Sequence, residues 1–423
     1  MKSKNFRSTF IILTVLVLLP LFAFSEWENK VFKKGIESVQ CYNADFPLNP
    51  PIIQLQSQDH IHFSFDDLND EQSTYYFSII HCDSKWESSE LQLFDYMKGF
   101  NENEIYDFSY SVNTLQDYTH FSLELPNRDV ELLVSGNYII EVFEDMDHTR
   151  PVLTQRFIIY ETEAKININV KTSSVVADKD YRQEIDFTVN IGRLKIFNVF
   201  DEIKVVVMQN MRWDNAIYDL QPKFIKGSEL IYDFEEKSSF DGGNEYRNFD
   251  IKDLRFQSDR IAAIDQDSSL AHIILHPDEK RTFKRYSTWE DLNGNYMIKI
   301  DNAINSDVEA DYVWVYFTLP FDFPVNDAGL YVAGQFNNYT YSDKFKLNYD
   351  FDEHAYKKRI LLKQGYYNYA YFFLQNGETA GQIAYIEGSH YQTVNDYLVI
   401  VYYKDSNKMY DRVVGLQYAI SHL

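Results

Sequence analysis

The sequence predicts an all-β protein built of consecutive antiparallel immunoglobulin-like β-sandwich domains. Three observations predict it. Aromatic residues make up 17% of the chain, including 33 Tyr and 32 Phe, and such residues favour strands and fill sandwich cores. Apolar and polar residues alternate with a period of two: Ile166, Ile168 and Val170 stand against Lys165, Asn167, Asn169 and Lys171, and Ile185, Phe187, Val189 and then Tyr296, Ile298, Ile300 repeat the pattern. No window of 15 residues holds a helical stripe. The short helix candidate is 88–98, with Ser88 or Ser89 as cap and Glu90 in the first turn.

Residues 1–25 read as a cleaved signal peptide. Lys2, Lys4 and Arg7 precede an apolar run over 10–22, and Ala23-Phe24-Ser25 places small residues where a signal peptidase cuts. The run is short for a membrane span, and no later stretch approaches ~18 consecutive apolar residues, so direct membrane insertion is not expected. The whole sequence holds 40 Lys and Arg against 64 Asp and Glu, a formal charge of −24. Removing the leader leaves 37 against 64, or −27. Such a charge repels nucleic acid and anionic membrane surfaces, and it keeps an aromatic-rich protein soluble.

Polar breaks between strand patterns divide the rest into three expected domains: 26–162, a middle domain over 163–307 with long aromatic loops, and 308–423. In the first, Tyr75-Tyr76-Phe77-Ser78-Ile79-Ile80 reads as a strand buried on both faces, closed by His81-Cys82-Asp83. The polar segment after it carries single large apolar residues, among them Trp86, Tyr96 and Phe100, and Gly99 allows a turn that presents Phe100. These rings either pin a loop onto the sandwich or form a contact surface for another protein. Cys41 and Cys82 are the two cysteines; in an oxidising compartment they either form a disulfide or remain two small buried side chains.

The middle domain has two stretches rich in turn formers that also carry rings, 209–215 with Trp213 and 240–247 with Phe240 and Tyr246. Self-packing and partner contact both fit. The third domain opens with Tyr312, Trp314 and Tyr316 alternating with Val313, Val315 and Phe317. Its run Leu330-Tyr331-Val332-Ala333-Gly334-Gln335-Phe336-Asn337-Asn338-Tyr339 resembles the immunoglobulin-like carbohydrate-binding modules found with glycogen-branching enzymes, although Tyr339 stands where those modules usually place a tryptophan. That resemblance implies a sandwich, and it makes Tyr339, Tyr341 and Tyr369 the candidate sugar platform. Cross-strand aromatic pairing is the competing account of the same tyrosines.

Three blocks carry a second resemblance: 81–114 (HCDSKWESSELQLFDYMKGFNENEIYDFSYSVNT), Ser135-Gly136-Asn137-Tyr138, and 387–405 followed by 410–415. Together they resemble the plug proteins of the type IX secretion system of Bacteroidetes, over nearly the whole chain after the leader. The resemblance implies a non-enzymatic periplasmic protein at the inner face of the outer membrane. Its partner would be the outer-membrane translocon β-barrel, whose periplasmic opening it would occlude to gate protein secretion. The alternative function is a periplasmic polysaccharide-binding protein using the third domain.

Catalytic signatures are absent from the sequence. There is no Gly-x-Ser-x-Gly elbow, no His-Glu-x-x-His and no phosphate-cradling glycine loop. His60 and His62 share a strand face without a third ligand, and Asp291-Leu292-Asn293-Gly294-Asn295 lacks the glycine position and closing glutamate of a calcium loop, so it reads as a hairpin turn. No metal or cofactor is expected. The candidate contact residues for a partner are Trp86, Tyr96, Phe100, Trp213, Phe240 and Tyr246, since interface anchors are enriched in Trp and Tyr.

Overall fold

Strand Tyr75–Cys82 shows how sequence alternation becomes layers in this computed structural model, which describes residues 27–69, 73–192, 194–266, 269–404 and 410–422. Tyr75, Phe77 and Ile79 enter one core, with Phe63, Phe65, Phe121 and Tyr138. Ile80 and Cys82 enter another, with Trp86, Val206, Ile400 and Tyr402. A strand covered on both faces needs apolar residues at nearly every position, which is why this run lacks a polar half. The expected signal peptide lies outside the described residues.

Sheet I runs Lys30–Val31, Asp147–Tyr160, Gly136–Glu144, Tyr75–Cys82, Asn103–Glu104, and Ile52–Gln54 adds a parallel pairing to Asp147–Tyr160. Sheet II runs Ile36–Asn43, Ile61–Asp67, Thr119–Leu125, Asp107–Tyr110. The two close the first sandwich. Sheet III runs Lys165–Thr172, Arg182–Asn190, Glu229–Tyr232, Phe224–Lys226, with Ser239–Asp241 also paired to Arg182–Asn190. Sheet IV holds Ile203–Gln209, Asp396–Lys404 and Asp411–Ile420. Val205, Val207, Val399 and Val401 of sheet IV face sheet III, while Val206, Met208, Leu398 and Ile400 face sheet I. Sheets II, I, IV and III therefore stack as four layers. Each fully buried aliphatic side chain in such a stack contributes about 1.5–3 kcal/mol of transfer free energy.

The third sandwich packs sheet V against sheet VI. Sheet V runs Ile261–Gln266, Ala271–Leu275, Tyr312–Pro320, Ala355–Lys363, Asn348–Asp350. Sheet VI runs Arg247–Asp250, Gly365–Gln375, Tyr296–Ile298, with Ala328–Ala333 on Gly365–Gln375. Among the described strands the pairing is antiparallel apart from the Ile52–Gln54 pair and that of Ala271–Leu275 with Tyr312–Pro320. No helix of the described residues is long and apolar enough to cross a membrane.

The strands do not respect the boundary expected at 307/308. Asp396–Lys404 and Asp411–Ile420, expected in 308–423, pair with Ile203–Gln209 and complete the second sandwich. Conversely, Arg247–Asp250, Ala271–Leu275 and Tyr296–Ile298, expected in 163–307, pair into the third. The third sandwich is thus an insertion within the second. The polar break that suggested a boundary is one helical turn, Ser306–Glu309, capped by Asn305, whose Oδ1 accepts from the Asp307 N–H at 3.0 Å. The helix expected over 88–98 is likewise one turn, Leu93–Tyr96; the Asp95 carboxylate accepts from the Gln92 N–H at 2.9 Å, and neither Ser88 nor Ser89 is its cap.

Buried polar clamps join the sandwiches. Asp66 of the first accepts from Lys363 Nζ at 2.5 Å and Tyr312 Oη at 2.6 Å of the third, and its other oxygen lies 2.7 Å from His120 Nδ1. Asp411 of the second accepts from the Ser84 N–H at 3.0 Å and Lys204 Nζ at 2.9 Å. Tyr402 Oη donates to Asn137 Oδ1 at 2.9 Å across the same junction. Each clamp pairs groups that would be costly to bury alone, with Asp411 bonded through Oδ2 and its Oδ1 left without a hydrogen-bond partner among the described residues.

Candidate functional site

Residues 83–100 were read either as rings pinning a loop onto the sandwich or as the first partner contacts, and the chain turns Trp86 and Tyr96 inward and leaves Phe94 and Phe100 outside. The Asp83 carboxylate accepts from the Lys85 and Glu87 N–H groups at 2.8 and 3.0 Å, closing a tight turn in which Trp86 adopts φ +65°. That turn drives Trp86 into the junction of sheets I and IV, fully buried. Its ring meets Trp213 edge to face at 5.0 Å, and the Arg156 guanidinium lies 4.5 Å from the Trp86 ring and 5.4 Å from the Trp213 ring. Tyr96 is buried as well, donating from Oη to Ile79 O at 3.0 Å. Gly99 sits at φ +132°, where a Cβ would stand 2.0 Å from Asp129 O, and the next residue, Phe100, is 77% exposed.

The other candidates separate in the same way. Phe240 is buried in the second sandwich against Tyr397, with ring centres 5.7 Å apart. Tyr246 is buried under the third, its Oη 3.0 Å from Tyr339 Oη. Trp213 is half-buried. Trp86, Tyr96, Phe240 and Tyr246 are therefore corrected to core residues. Of the six, Phe100 alone presents most of its surface.

What the sequence reading missed lies in the same stretch. Phe94, Tyr106, Phe108 and Tyr110 are 75%, 63%, 51% and 60% exposed. Asp107–Tyr110 is the free edge of sheet II, and Phe108 and Tyr110 line a cleft of about 750 Å³ beside Tyr75 and Phe121. The signal was available: Tyr106, Phe108 and Tyr110 recur at period two between Asp107 and Ser109, which marks one aromatic strand face.

The sugar platform does not form. Tyr339 and Tyr369 are buried, and Tyr341 is half-buried with its Oη donating to Asp214 Oδ2 at 2.8 Å. Asn338 and Tyr339 take φ +50° and +52°, which folds the Tyr339 ring beneath the turn to within 5.3 Å of the Arg212 guanidinium. Tyr369 donates to Asp278 Oδ2 at 2.7 Å within an ionic cluster. There, Arg247 and Arg281 hold Glu387 at 2.8 and 2.7 Å. Burial alone would push the Glu387 carboxyl up, but the two guanidiniums hold it down to about 2. A ring committed to such contacts has no free face for a sugar.

The two cysteines are free thiols. Cys41, on sheet II, packs against the first core, whereas Cys82, on sheet I, faces the junction core, so the disulfide alternative is corrected to two separate thiols. Burial pushes both thiols up, away from reactivity. The Asp291 loop is a tight turn, with Asn293 at φ +51°, Gly294 at φ +87° and the Asn295 N–H donating to Leu292 O at 3.0 Å.

Residues 36–161 match the family model described as the first domain of the type 9 secretion system plug protein. The chain belongs to the type IX secretion system plug family. The solved structures that resemble it include the crystal structure of a hypothetical protein from Parabacteroides merdae ATCC 43184 at 2.30 Å resolution; it is 32% identical, has a TM-score of 0.90, and the match covers 93% of this chain and 99% of that one. No curated protein matches the sequence. The segment matched by the plug family model is the first sandwich, which holds Phe100 and the aromatic edge Asp107–Tyr110. The plug family is a structural component of a secretion machinery, associated with the periplasm and outer membrane.

Proposed function

We propose that this chain is a removable stopper for the outer-membrane translocon β-barrel of the type IX system. It is exported by a cleaved leader, held at the inner face of the outer membrane, and occludes the barrel's periplasmic opening without catalysing a reaction. The match of residues 36–161 to the plug family carries this reading. The mechanics agree with it. A stopper must resist deformation yet leave when required, so it needs stiff internal joints and a limited external contact. The joints here are buried: sheet I is covered by sheet IV through Ile139, Ile158, Leu398 and Ile400, and the Asp66 to Lys363 clamp ties the first sandwich to the inserted one. The external contact falls to exposed aromatics of the first sandwich, Phe100 with Tyr106, Phe108 and Tyr110.

The test is co-purification of the tagged chain with the translocon from gently solubilised outer membranes. Phe100→Ala combined with Phe108→Ala should reduce recovery of the barrel by about tenfold, as expected for loss of interface anchors, while the circular dichroism melt stays in place. Recovery equal to that of the unaltered chain would remove these residues from the interface. Absence of any barrel with the unaltered chain would remove the stopper reading.

A further inference from the structure

The outer face of sheet V forms one wall of a cleft of about 1060 Å³, and residues 34–37 with Leu68 of the first sandwich form the other. Its charge departs from that of the molecule. In a chain where carboxylates outnumber cations 64 to 40, the lining of this cleft holds five cations, Lys34, Lys344, Lys357, Lys358 and Arg359, against two carboxylates, Glu37 and Asp350. Lys344 pairs with Glu37, and Lys357 with Asp350 at 3.1 Å. Lys34 and Arg359 have no carboxylate partner among the described residues, and Arg359 lies 4.7 Å over the Trp314 ring; Lys358, opposite Phe317, alternates to the other face of the sheet, where its Nζ donates to the Asp343 carbonyl at 2.7 Å. A lining with more cations than carboxylates, two of them without a carboxylate partner, attracts anions to that cleft in an otherwise acidic protein.

The floor between the cations is apolar. Trp314 and Tyr316 project outward from Tyr312–Pro320, with Ile274 and Leu361 from the strands on either side. Stacking of a sugar ring is blocked, because Arg359 covers the Trp314 face and His272 is stacked on Tyr316 with ring centres 5.6 Å apart and Nδ1 2.8 Å from Tyr316 Oη. Ring edges and aliphatic side chains remain, and these suit the side chains of a peptide. The floor ends at Asn348–Asp350, the free edge of sheet V. We propose that this cleft binds an extended segment of a partner protein that alternates carboxylates with apolar side chains, the carboxylates meeting Lys34 and Arg359 and the apolar groups resting on Trp314, Ile274 and Leu361.

This site is distinct from the exposed aromatics assigned to the translocon, and its test needs no translocon. The probe is a fluorescein-labelled hexapeptide of alternating Glu and Phe, titrated with the exported chain and read by anisotropy. The expected result is saturable binding that weakens about tenfold in Arg359→Glu and in Lys34→Glu, and weakens further as salt rises from about 50 to about 300 mM. Trp314→Ala should weaken it as well. Arg359 is exposed, so its variant retains the fold, which a circular dichroism melt verifies. Three results would each overturn the proposal: no saturable binding, binding unchanged by both charge reversals, or equally tight binding of polyglutamate or a polyuronate. The last would mean that charge alone is read and that the occupant is not a peptide of this pattern.

Discussion

Replacing Lys363 with Met removes the cation at the centre of the clamp between the first and third sandwiches. Asp66, Lys363 and Tyr312 are each about 1% exposed, and Lys363 Nζ also donates to the Asp307 carbonyl at 2.6 Å and lies 4.2 Å from the Tyr118 ring centre. Burial pushes the Lys363 amine down, and Asp66 is the first group that opposes it. Removing one member leaves the other charge buried, which costs about 3–5 kcal/mol. Lys363→Met should sit near the lower figure, since Asp66 keeps the Tyr312 hydroxyl and His120. Asp66→Ala should sit near the upper one, because the ammonium then retains only a carbonyl and a ring. The pair Asp66→Ala with Lys363→Met should recover at least about 1.5 kcal/mol relative to the sum of the singles, because no buried ion is then left without its partner. Urea unfolding followed by both tryptophan fluorescence and far-ultraviolet circular dichroism measures all of them, and in the single variants the two signals should separate as the sandwiches uncouple. A cost below about 1 kcal/mol for Lys363→Met, or strict additivity in the pair, would refute the clamp.

The other predictions concern placement and protonation. Trp86→Ala should cost about 3–5 kcal/mol and Phe100→Ala within about 0.5 kcal/mol, by calorimetry on both; the reverse order would contradict a buried Trp86 and an exposed Phe100. Glu387 has its carboxyl held down to about 2 in the fold against an ordinary 4.5, so its contribution is present above about pH 4.5 and is lost as pH falls towards 2. That loss is on the order of 3 kcal/mol, and Glu387→Gln, itself less stable at neutral pH, should lose this part of the acid dependence. Asp291 runs the other way. Burial raises its carboxyl to about 7, so its contribution is complete below 3.8 and fades as pH rises through 7; Asp291→Asn should flatten the melting temperature between about pH 5 and pH 8. Native protein should resist iodoacetamide at Cys41 and Cys82 and take up two labels once unfolded without reductant, by intact mass; an unlabelled unfolded chain would show a disulfide.

The layers were legible because alternation is local. Period two at 165–171 and 185–189 marked two strands of sheet III, and the unbroken apolar run 75–80 marked a strand covered on both sides, which Tyr75–Cys82 of sheet I is. Connectivity was not legible, since Ile203–Gln209 finds its partner nearly 200 residues away at Tyr403 and Tyr397, and nothing in either run names the other. The insertion of the third sandwich is a property of that pairing. A linear boundary at 307 could not express it.

The candidate contact residues failed for a related reason. Aromatic residues among turn formers fitted self-packing and partner contact equally in the sequence; the turns at Asn210-Met211 and Asn338-Tyr339 adopt positive φ, and Trp86 does so itself, so the chain doubles back and the rings are driven inward. Once sheets I and IV cover each other, loops beside them have apolar ground on which to place rings, and Trp86 and Trp213 fill it together with Arg156. Exposed aromatics then remain both in loops, as Phe100, Phe197, Phe283 and Phe323 do, and on the free edge strand of sheet II. The edge Asp107–Tyr110 reads in the sequence as aromatic residues at period two; Tyr312, Trp314 and Tyr316 share that spacing, but the clamp buries Tyr312 and the other two are half-buried. For this chain, ring spacing along a strand marked one free surface, at Asp107–Tyr110, whereas a loop ring is buried or exposed according to the backbone turn that carries it, as Trp86 and Phe100 show.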